Sequence, residues 1–154
     1  MDFEIDILTR VLVAIALSGV LGWERECAGK SAGVRTHMLV GLAACLFVVL
    51  GELFVQHFSS REVEDQMRFD AIRVIEAVIT GISFLGAGTI FVSRGKDRVK
   101  GLTTAASILV TAAVGIMVSL RYYLLACGIT AVIFIVLHVL GWLKGKLGGT
   151  APLE

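Results

Sequence analysis

The chain has 154 residues and a net charge of +1; 56% of its residues are hydrophobic and 18% are charged, and its mean hydropathy is +0.86. Soluble domains typically contain about 45–50% apolar and about 25% charged residues, so this composition excludes an ordinary soluble domain. The small net charge gives no indication of nucleic-acid binding. The 3 Cys show neither CxxC spacing nor Cys/His pairing, so the sequence predicts no zinc site and no disulfide framework.

Five apolar stretches are candidates for membrane-spanning helices. A spanning helix needs about 20 mostly apolar residues, and the stretches that meet or approach this length are residues 3–23, 36–54, 72–92, 101–120 and 122–143. We therefore predict an all-α fold, a polytopic helical bundle with about five transmembrane helices. The bundle forms one domain over residues 1–145, and residues 146–154 are predicted to be a short flexible cytoplasmic tail.

The Lys and Arg residues are distributed unevenly between the two sides that these helices define. Nine lie in the first loop, the third loop and the tail: Arg25, Lys30, Arg35, Arg94, Lys96, Arg98, Lys100, Lys144 and Lys146. Five lie on the opposite side or in helix ends: Arg10, Arg61, Arg68, Arg73 and Arg121. Cytoplasmic loops carry an excess of Lys and Arg, so we predict an N-terminus outside the cell and a C-terminus in the cytoplasm.

Charged residues interrupt three of the predicted spans. Arg10 lies in the first and Glu52 in the second, whereas the third contains both Arg73 and Glu76. A charge at the membrane centre costs about 2.5–3.5 kcal/mol on insertion scales. Such residues usually face a bundle interior, pair with each other or line a pathway, so Arg73 and Glu76 of the third span are candidate functional residues.

The third span carries a polar stripe, formed by Arg73, Glu76, Thr80 and Ser83, and Asp70 lies one turn before it. The spacings of three, four and three residues place the stripe on one helical face. In one interpretation the stripe lines an ion or polar pathway, to which Glu24 of the first loop also contributes. In the other, Arg73 pairs with Glu76 and the hydroxyls bond to their own backbone.

The stripe continues into a glycine-rich segment containing Gly81, Gly86 and Gly88. Glycine weakens a helix interior by about 1 kcal/mol relative to alanine, so the segment is predicted either to unwind locally or to pack closely against another helix. Small residues also recur at four-residue spacing in the fourth and first spans: Thr103, Ser107, Thr111, Gly115 and Ser119, and Ala14, Ser18 and Gly22. These faces predict tight helix contacts, within the chain or between copies.

The first loop places two carboxylates, Glu24 and Glu26, among basic residues. Such a set is compatible with a hard cation held through carboxylates and water, with an anionic partner, or with a solvated loop on the positive side of the membrane. The run Gly29-Lys30-Ser31 imitates the end of a P-loop, but Glu24 stands where that motif needs a glycine. No catalytic constellation is recognisable, so no enzyme activity and no cofactor are predicted, and the presence of a metal site stays open.

Three segments together resemble the MgtC/SapB family. The first is the loop motif Glu24, Arg25, Glu26, Gly29, Lys30, Gly33, Arg35, Thr36 and His37. The second is the glycine-rich run 81–90, and the third is the run 99–106, which contains Gly101, Thr103 and Thr104. The three segments occur in the family's order and cover most of residues 20–115.

The resemblance implies a multi-pass protein of the bacterial inner membrane that is tied to magnesium limitation and, in pathogens, to virulence through survival inside macrophages. Family members are often named magnesium transporters. Two departures stand out. Many members carry a cytoplasmic ACT-like domain after the last helix, which this sequence lacks, and Glu76 stands where most relatives are expected to carry Gln.

Two functions therefore remain open. The first is a transport-type protein in magnesium or small-solute homeostasis, with Mg²⁺ as ligand or substrate and with Glu24, Asp70, Arg73 and Glu76 as its polar working residues. The second is a regulatory protein that binds other membrane complexes, such as the ATP synthase. The expected partners are the lipid bilayer, further copies of the chain and other inner-membrane proteins.

Overall fold

The computed structural model describes residues 2–59, 71–93 and 98–147. Within these ranges the chain forms five helices and one β-hairpin, in the order α1 (Asp2–Cys27), α2 (Val34–Ser59), α3 (Ala71–Ala87), β1 (Phe91–Ser93), β2 (Arg98–Lys100), α4 (Leu102–Ser119) and α5 (Tyr123–Leu147). The predicted helical bundle is confirmed, whereas its orientation in the membrane stays a prediction. Asp70 and residues 148–154 of the predicted tail lie outside the described residues.

Helix α4 occupies the centre of the bundle. It packs against each of the other four helices, while α3 also packs on α2 and α5 also packs on α1. The buried apolar side chains form two groups. One joins α1, α2, α4 and α5, and comprises Ala14, Leu21, Cys45, Val49, Val114, Val118 and Ala126. The other joins the first loop, α2, α3 and α4, and comprises Ala32, Val40, Ala44, Val78, Ile108, Ala112 and Ile116.

Small residues allow α1, α2 and α4 to approach closely. A Cβ atom added at Gly41 of α2 would overlap the hydroxyl of Ser18 on α1, and one added at Gly115 of α4 would overlap the carbonyl oxygen of Gly41. Small residues let helix backbones approach within a membrane bundle. The small-residue faces of the first and fourth spans therefore serve contacts within the chain.

Within the described ranges, three helical segments are long and apolar enough to cross a membrane: Phe3–Cys27, Val34–Phe54 and Leu102–Ser119. Helix α3 has 17 residues, and the apolar segment Tyr123–Val139 of α5 is also shorter. At about 1.5 Å per residue, a helix of α3's length reaches about 25 Å, slightly less than the roughly 30 Å hydrocarbon core of a bilayer.

Helix α3 ends at Ala87, before the residue 92 that the sequence predicted. The backbone turns there: the N–H groups of Thr89 and Ile90 donate to the carbonyl oxygens of Gly86 and Ala87. The chain then enters β1, which pairs antiparallel with β2. Helix α4 starts immediately afterwards, next to Gly101, whose φ of 91° is a conformation that favours glycine.

Candidate functional site

A cluster of four charged residues joins α1, α2 and the turn between α4 and α5, and we call it the Arg10 cluster: Asp6, Arg10, Glu52 and Arg121. Arg10 is only 1% exposed. Its Nε donates to Asp6 Oδ2 at 2.8 Å, and its Nη1 donates to Glu52 Oε2 at 2.6 Å and to the carbonyl oxygen of Ser119 at 3.0 Å. The buried guanidinium is therefore held by groups from three parts of the fold.

The fourth member, Arg121, closes the cluster from the solvent side. It lies in the α4–α5 turn with a φ of 65°, and its Nη2 donates to Asp6 Oδ2 at 2.8 Å. This hydrogen bond raises the pKa of Arg121 above its ordinary value, so the guanidinium stays charged. The buried cation of Arg10 is thus balanced by the carboxylates of Asp6 and Glu52, which is the condition under which a buried charge is tolerated.

A second polar cluster lies at the opposite end of α1, and we call it the Glu24 cluster: Glu24, Arg25 and Glu26. Glu24 and Arg25 are both buried and form an ion pair, and Arg25 Nη2 also donates to the carbonyl oxygen of Leu137 on α5 at 3.4 Å. Glu26 accepts from the backbone N–H of Val34 at 2.9 Å and so caps the start of α2. Both carboxylates are thus engaged by groups of the chain itself.

His37 connects α2 to α4 close to the Glu24 cluster. The ring is fully buried; its Nδ1 lies 2.9 Å from the carbonyl oxygen of Gly33 and its Nε2 lies 3.2 Å from the hydroxyl of Ser107. A carbonyl only accepts, so Nδ1 carries a proton. The Ser107 hydroxyl donates to the carbonyl oxygen of Thr104 at 2.8 Å and lies within hydrogen-bond distance of Nε2.

The interior between the two clusters contains both apolar and polar side chains. Between Arg10 and Glu24, the buried face of α1 carries Ala14, Ser18 and Leu21. Among the described residues, the Ser18 hydroxyl is the buried side-chain group with no hydrogen-bond partner. The described residues also contain no group of three or more His, Cys, Asp or Glu side chains that could hold a metal ion.

The polar stripe of α3 lies away from both clusters. Arg73, Glu76, Thr80 and Ser83 are all exposed, and the Thr80 hydroxyl donates to the Glu76 carbonyl oxygen at 2.7 Å. At about 100° per residue, the four positions lie roughly 140–160° from Val78, the residue that α3 buries against its neighbours. Glu24 is on α1, whereas α3 packs on α2 and α4, so the structure does not bring Glu24 together with the stripe.

Comparison with known proteins places the chain in a family. Residues 11–146 match the MgtC family. The chain belongs to the MgtC family. Among its relatives is the YhiD protein of Escherichia coli K12, whose name marks it provisionally as a magnesium transporter; it is 34% identical over 142 residues, which are 92% of this chain and 64% of YhiD. No solved structure matches the chain.

Two further relatives come from Bacillus subtilis and Brucella abortus. SapB of Bacillus subtilis is 29% identical over 143 residues, covering 93% of this chain and 60% of SapB. Protein MgtC of Brucella abortus is 39% identical over 104 residues, covering 68% of this chain and 38% of that protein. The chain therefore spans less than two thirds of the length of these relatives.

The first-loop motif that resembles the MgtC family forms the connection between α1 and α2. Gly29 has a φ of 66°, a conformation that glycine adopts without strain. A Cβ atom at Gly33 would collide with the Glu26 carboxylate, so this glycine leaves room for the cap on α2. Lys30 and Arg35 are exposed and Thr36 is half-buried. Most of the motif thus builds the loop, and its basic side chains remain accessible.

The glycines of the other two segments have different surroundings. Helix α3 continues without interruption through Gly81 and Gly86, so the break comes only after Ala87. Gly86 packs on Ala105 of α4, whereas a Cβ atom at Gly81 would meet no atom within 4 Å. Thr103 is exposed and Thr104 is buried. Close packing therefore explains why position 86 is a glycine, whereas no neighbouring atom requires a glycine at position 81.

The Arg10 cluster was not predicted as a site from the sequence. Two of its members were visible as charges in separate apolar spans, Arg10 and Glu52, and Asp6 stands four residues before Arg10 on the same helical face. An Arg in one span and a Glu in another could have predicted an ion pair between the two helices. Arg121 could not have been predicted as a member of the cluster, because a single Arg in a turn is common.

Proposed function

We propose that this membrane protein acts in magnesium homeostasis by binding another membrane-embedded chain through the outward face of α3. The link to magnesium comes from the name of its relative YhiD. The face is defined by Arg73, Glu76, Thr80 and Ser83, which are exposed on the side of α3 that does not pack on the bundle. The partner is an inner-membrane protein or a second copy of the chain.

The observation that carries the proposal is the position of these charges. Arg73 and Glu76 lie in the first two turns of α3, where an ionisable side chain facing lipid costs less than the roughly 2.5–3.5 kcal/mol of the membrane centre. A neighbouring helix with polar groups removes most of that cost, because polar side chains can bond across helix contacts. The stripe therefore supports a binding surface for a helix of a partner chain.

The interior of the bundle supports partner binding as the function, rather than ion conduction through a single copy of the chain. The buried charges lie in the Arg10 and Glu24 clusters, where the structure pairs them with one another. Apolar side chains that include Ala14, Leu21 and Val114 pack between the two clusters.

Transport is a second candidate function, and the composition of the stripe favours it specifically. A carboxylate at Glu76 and hydroxyls at Thr80 and Ser83 are oxygen ligands of the kind that hard divalent cations bind. Two α3 stripes facing each other in a dimer would line a polar path between copies. Magnesium flux into liposomes loaded with a magnesium-sensitive dye separates the candidates, because a purely regulatory protein gives no flux.

The test of the proposed function is growth at limiting magnesium. A strain lacking its own copy receives the parent or the double variant Arg73→Ala with Glu76→Ala, and membrane levels are measured by immunoblot. We expect the double variant to reach the parent's level and fail to support growth. Ile79→Ala is the control, because Ile79 is exposed on the same helix but apolar. Growth of the double variant at the parent's rate would refute the proposal.

A further inference from the structure

An apolar groove of about 530 Å³ runs between α2 and α3. Arg35 and Thr36 line one end and Phe47 lies at the other, while Gly81 and Leu85 contribute walls from α3. The groove opens to the surroundings of the bundle, since Leu39 is 63% exposed and Phe47 is 55% exposed. Neither charged cluster contributes to it, and it lies on a different side of α3 from the polar stripe.

The dimensions of the groove correspond to one leaflet of a bilayer. From Arg35 to Phe47 the helix rises about 18 Å at 1.5 Å per residue, slightly more than half of a hydrocarbon core of about 30 Å. Val34–Phe54 is a candidate span, so Arg35 stands at its end, at the level of the lipid headgroups. Phe47 then lies well inside the hydrocarbon.

The charge of Arg35 at one end of the groove indicates which kind of ligand the groove binds. Within the described part of the chain, the Arg35 guanidinium has no hydrogen-bond or ion-pair partner. The nearest carboxylate along the motif, Glu26, is occupied by the Val34 N–H group. An exposed guanidinium beside an apolar groove is suited to a phosphate group attached to a hydrocarbon chain, because guanidinium binds phosphate oxygens in a forked geometry.

We infer that the α2–α3 groove binds one anionic phospholipid, with its phosphate on Arg35 and an acyl chain along the groove towards Phe47. The cation at the end of an otherwise apolar lining favours an amphiphile with one anionic headgroup over the apolar face of a partner helix. The leaflet is the one on the side of the α1–α2 loop, which the charge distribution predicts to be cytoplasmic.

Gly81 provides a variant that fills the groove without disturbing the fold. A Cβ atom at Gly81 would meet no other atom within 4 Å, and Gly81→Leu replaces a poor helix former with a good one. Gly128→Leu is the matched control: its Cβ position is equally open, but it lies on α5, away from the groove. For the charge, Arg35→Gln is compared with Lys30→Gln, which removes an exposed cation from the same loop.

The test titrates purified protein in detergent with phosphatidylglycerol and, separately, with phosphatidylcholine, and counts retained lipids by native mass spectrometry. We expect the parent to retain one phosphatidylglycerol in preference to phosphatidylcholine, Gly81→Leu to lose it, and Arg35→Gln to bind it about fivefold more weakly. Both control variants should behave as the parent does. Thermal unfolding checks that each variant is folded.

Three results would overturn the inference. The first is equal retention of the two lipids by the parent, and the second is undiminished phosphatidylglycerol binding by both Gly81→Leu and Arg35→Gln. The third is a polypeptide retained by the parent and lost from Gly81→Leu, which would identify the groove as a helix-binding site. Should Gly81→Leu fail to fold, Arg35→Gln decides alone, because it changes an exposed charge and leaves the core intact. None of these results depends on whether the stripe of α3 binds a partner.

Discussion

The Nη1 atom of Arg10 on α1 lies 2.6 Å from the Oε2 atom of Glu52 on α2. Each residue is a charge within an apolar stretch of the sequence, and the fold brings the two charged side chains together. Arg10 is 1% exposed and Glu52 is 34% exposed, so the pair lies at the edge of the bundle with its cation inside. It ties α1 to α2, and through the Ser119 carbonyl oxygen it also ties α1 to the end of α4.

Removing Arg10 should therefore destabilise the fold strongly. Breaking a buried ion pair by deleting one partner typically costs about 3–5 kcal/mol, because it leaves uncompensated charge, and Arg10→Ala should reduce the free energy of unfolding by about that amount. Arg121→Ala is the control: this side chain is 52% exposed, and exposed pairs contribute about 0–1 kcal/mol. Unfolding in mixed micelles, followed by circular dichroism, measures the free energy of unfolding of both variants. Equal losses of stability in Arg10→Ala and Arg121→Ala would contradict the assignment of Arg10 as the central residue of the cluster.

The contact between His37 and Ser107 should appear as a coupling energy. His37→Ala leaves the Ser107 hydroxyl with the Thr104 carbonyl oxygen as its acceptor, and Ser107→Ala leaves Nε2 unpaired in a buried site. Ser107→Ala should therefore cost about 1–3 kcal/mol, as expected for a buried polar group that loses its partner, whereas His37→Ala should cost less because the Ser107 hydroxyl stays paired. A double-mutant cycle in the same unfolding assay should give a coupling of about 1 kcal/mol. Strict additivity would show that the two side chains do not interact.

The sequence predicted the number of helices and most of their positions, because long apolar stretches have few alternatives to membrane helices. It did not predict that α3 ends at Ala87, since the apolar run continues to residue 92 and only the turn at Gly88 interrupts it. It identified Arg73 and Glu76 as one stripe, yet periodicity alone cannot tell which face of a helix meets the bundle. The Arg10 cluster depends on contacts between residues as far apart as Asp6 and Arg121, which no local pattern encodes.

Gly115 should be essential for folding of a single copy. Its Cβ position overlaps the Gly41 carbonyl oxygen, so Gly115→Ala forces α4 away from α2 and should destabilise the protein by about 1–3 kcal/mol, the usual cost of overpacking. The matched change Gly128→Ala is made in open space and should be neutral or stabilising by up to about 1 kcal/mol. Thermal unfolding of the two purified variants compares them directly. A stable Gly115→Ala variant with an altered oligomeric size would instead assign this glycine to contacts between copies.

The predicted orientation can be tested at two exposed positions, Lys30 in the α1–α2 loop and Tyr122 in the α4–α5 turn. Single cysteines are introduced at each position in a chain whose native cysteines have been replaced. In intact cells with a permeabilised outer membrane, a membrane-impermeant maleimide should label Tyr122→Cys and leave Lys30→Cys unlabelled. Labelling only at Lys30→Cys would reverse the orientation inferred from the Lys and Arg distribution.

The most direct measurement of the proposed binding surface is cysteine crosslinking from α3 in native membranes. Ser83→Cys is placed on the outward stripe of a chain without other cysteines, and a chain that retains only Cys127, which is exposed on α5, is the control. With a maleimide that carries a photoactivatable benzophenone, Ser83→Cys should give a discrete crosslinked species, either to a second copy or to a distinct inner-membrane protein identified by mass spectrometry, and the Cys127 chain should give none. Absence of any crosslinked species from Ser83→Cys and from a second stripe position, Thr80→Cys, would contradict the account.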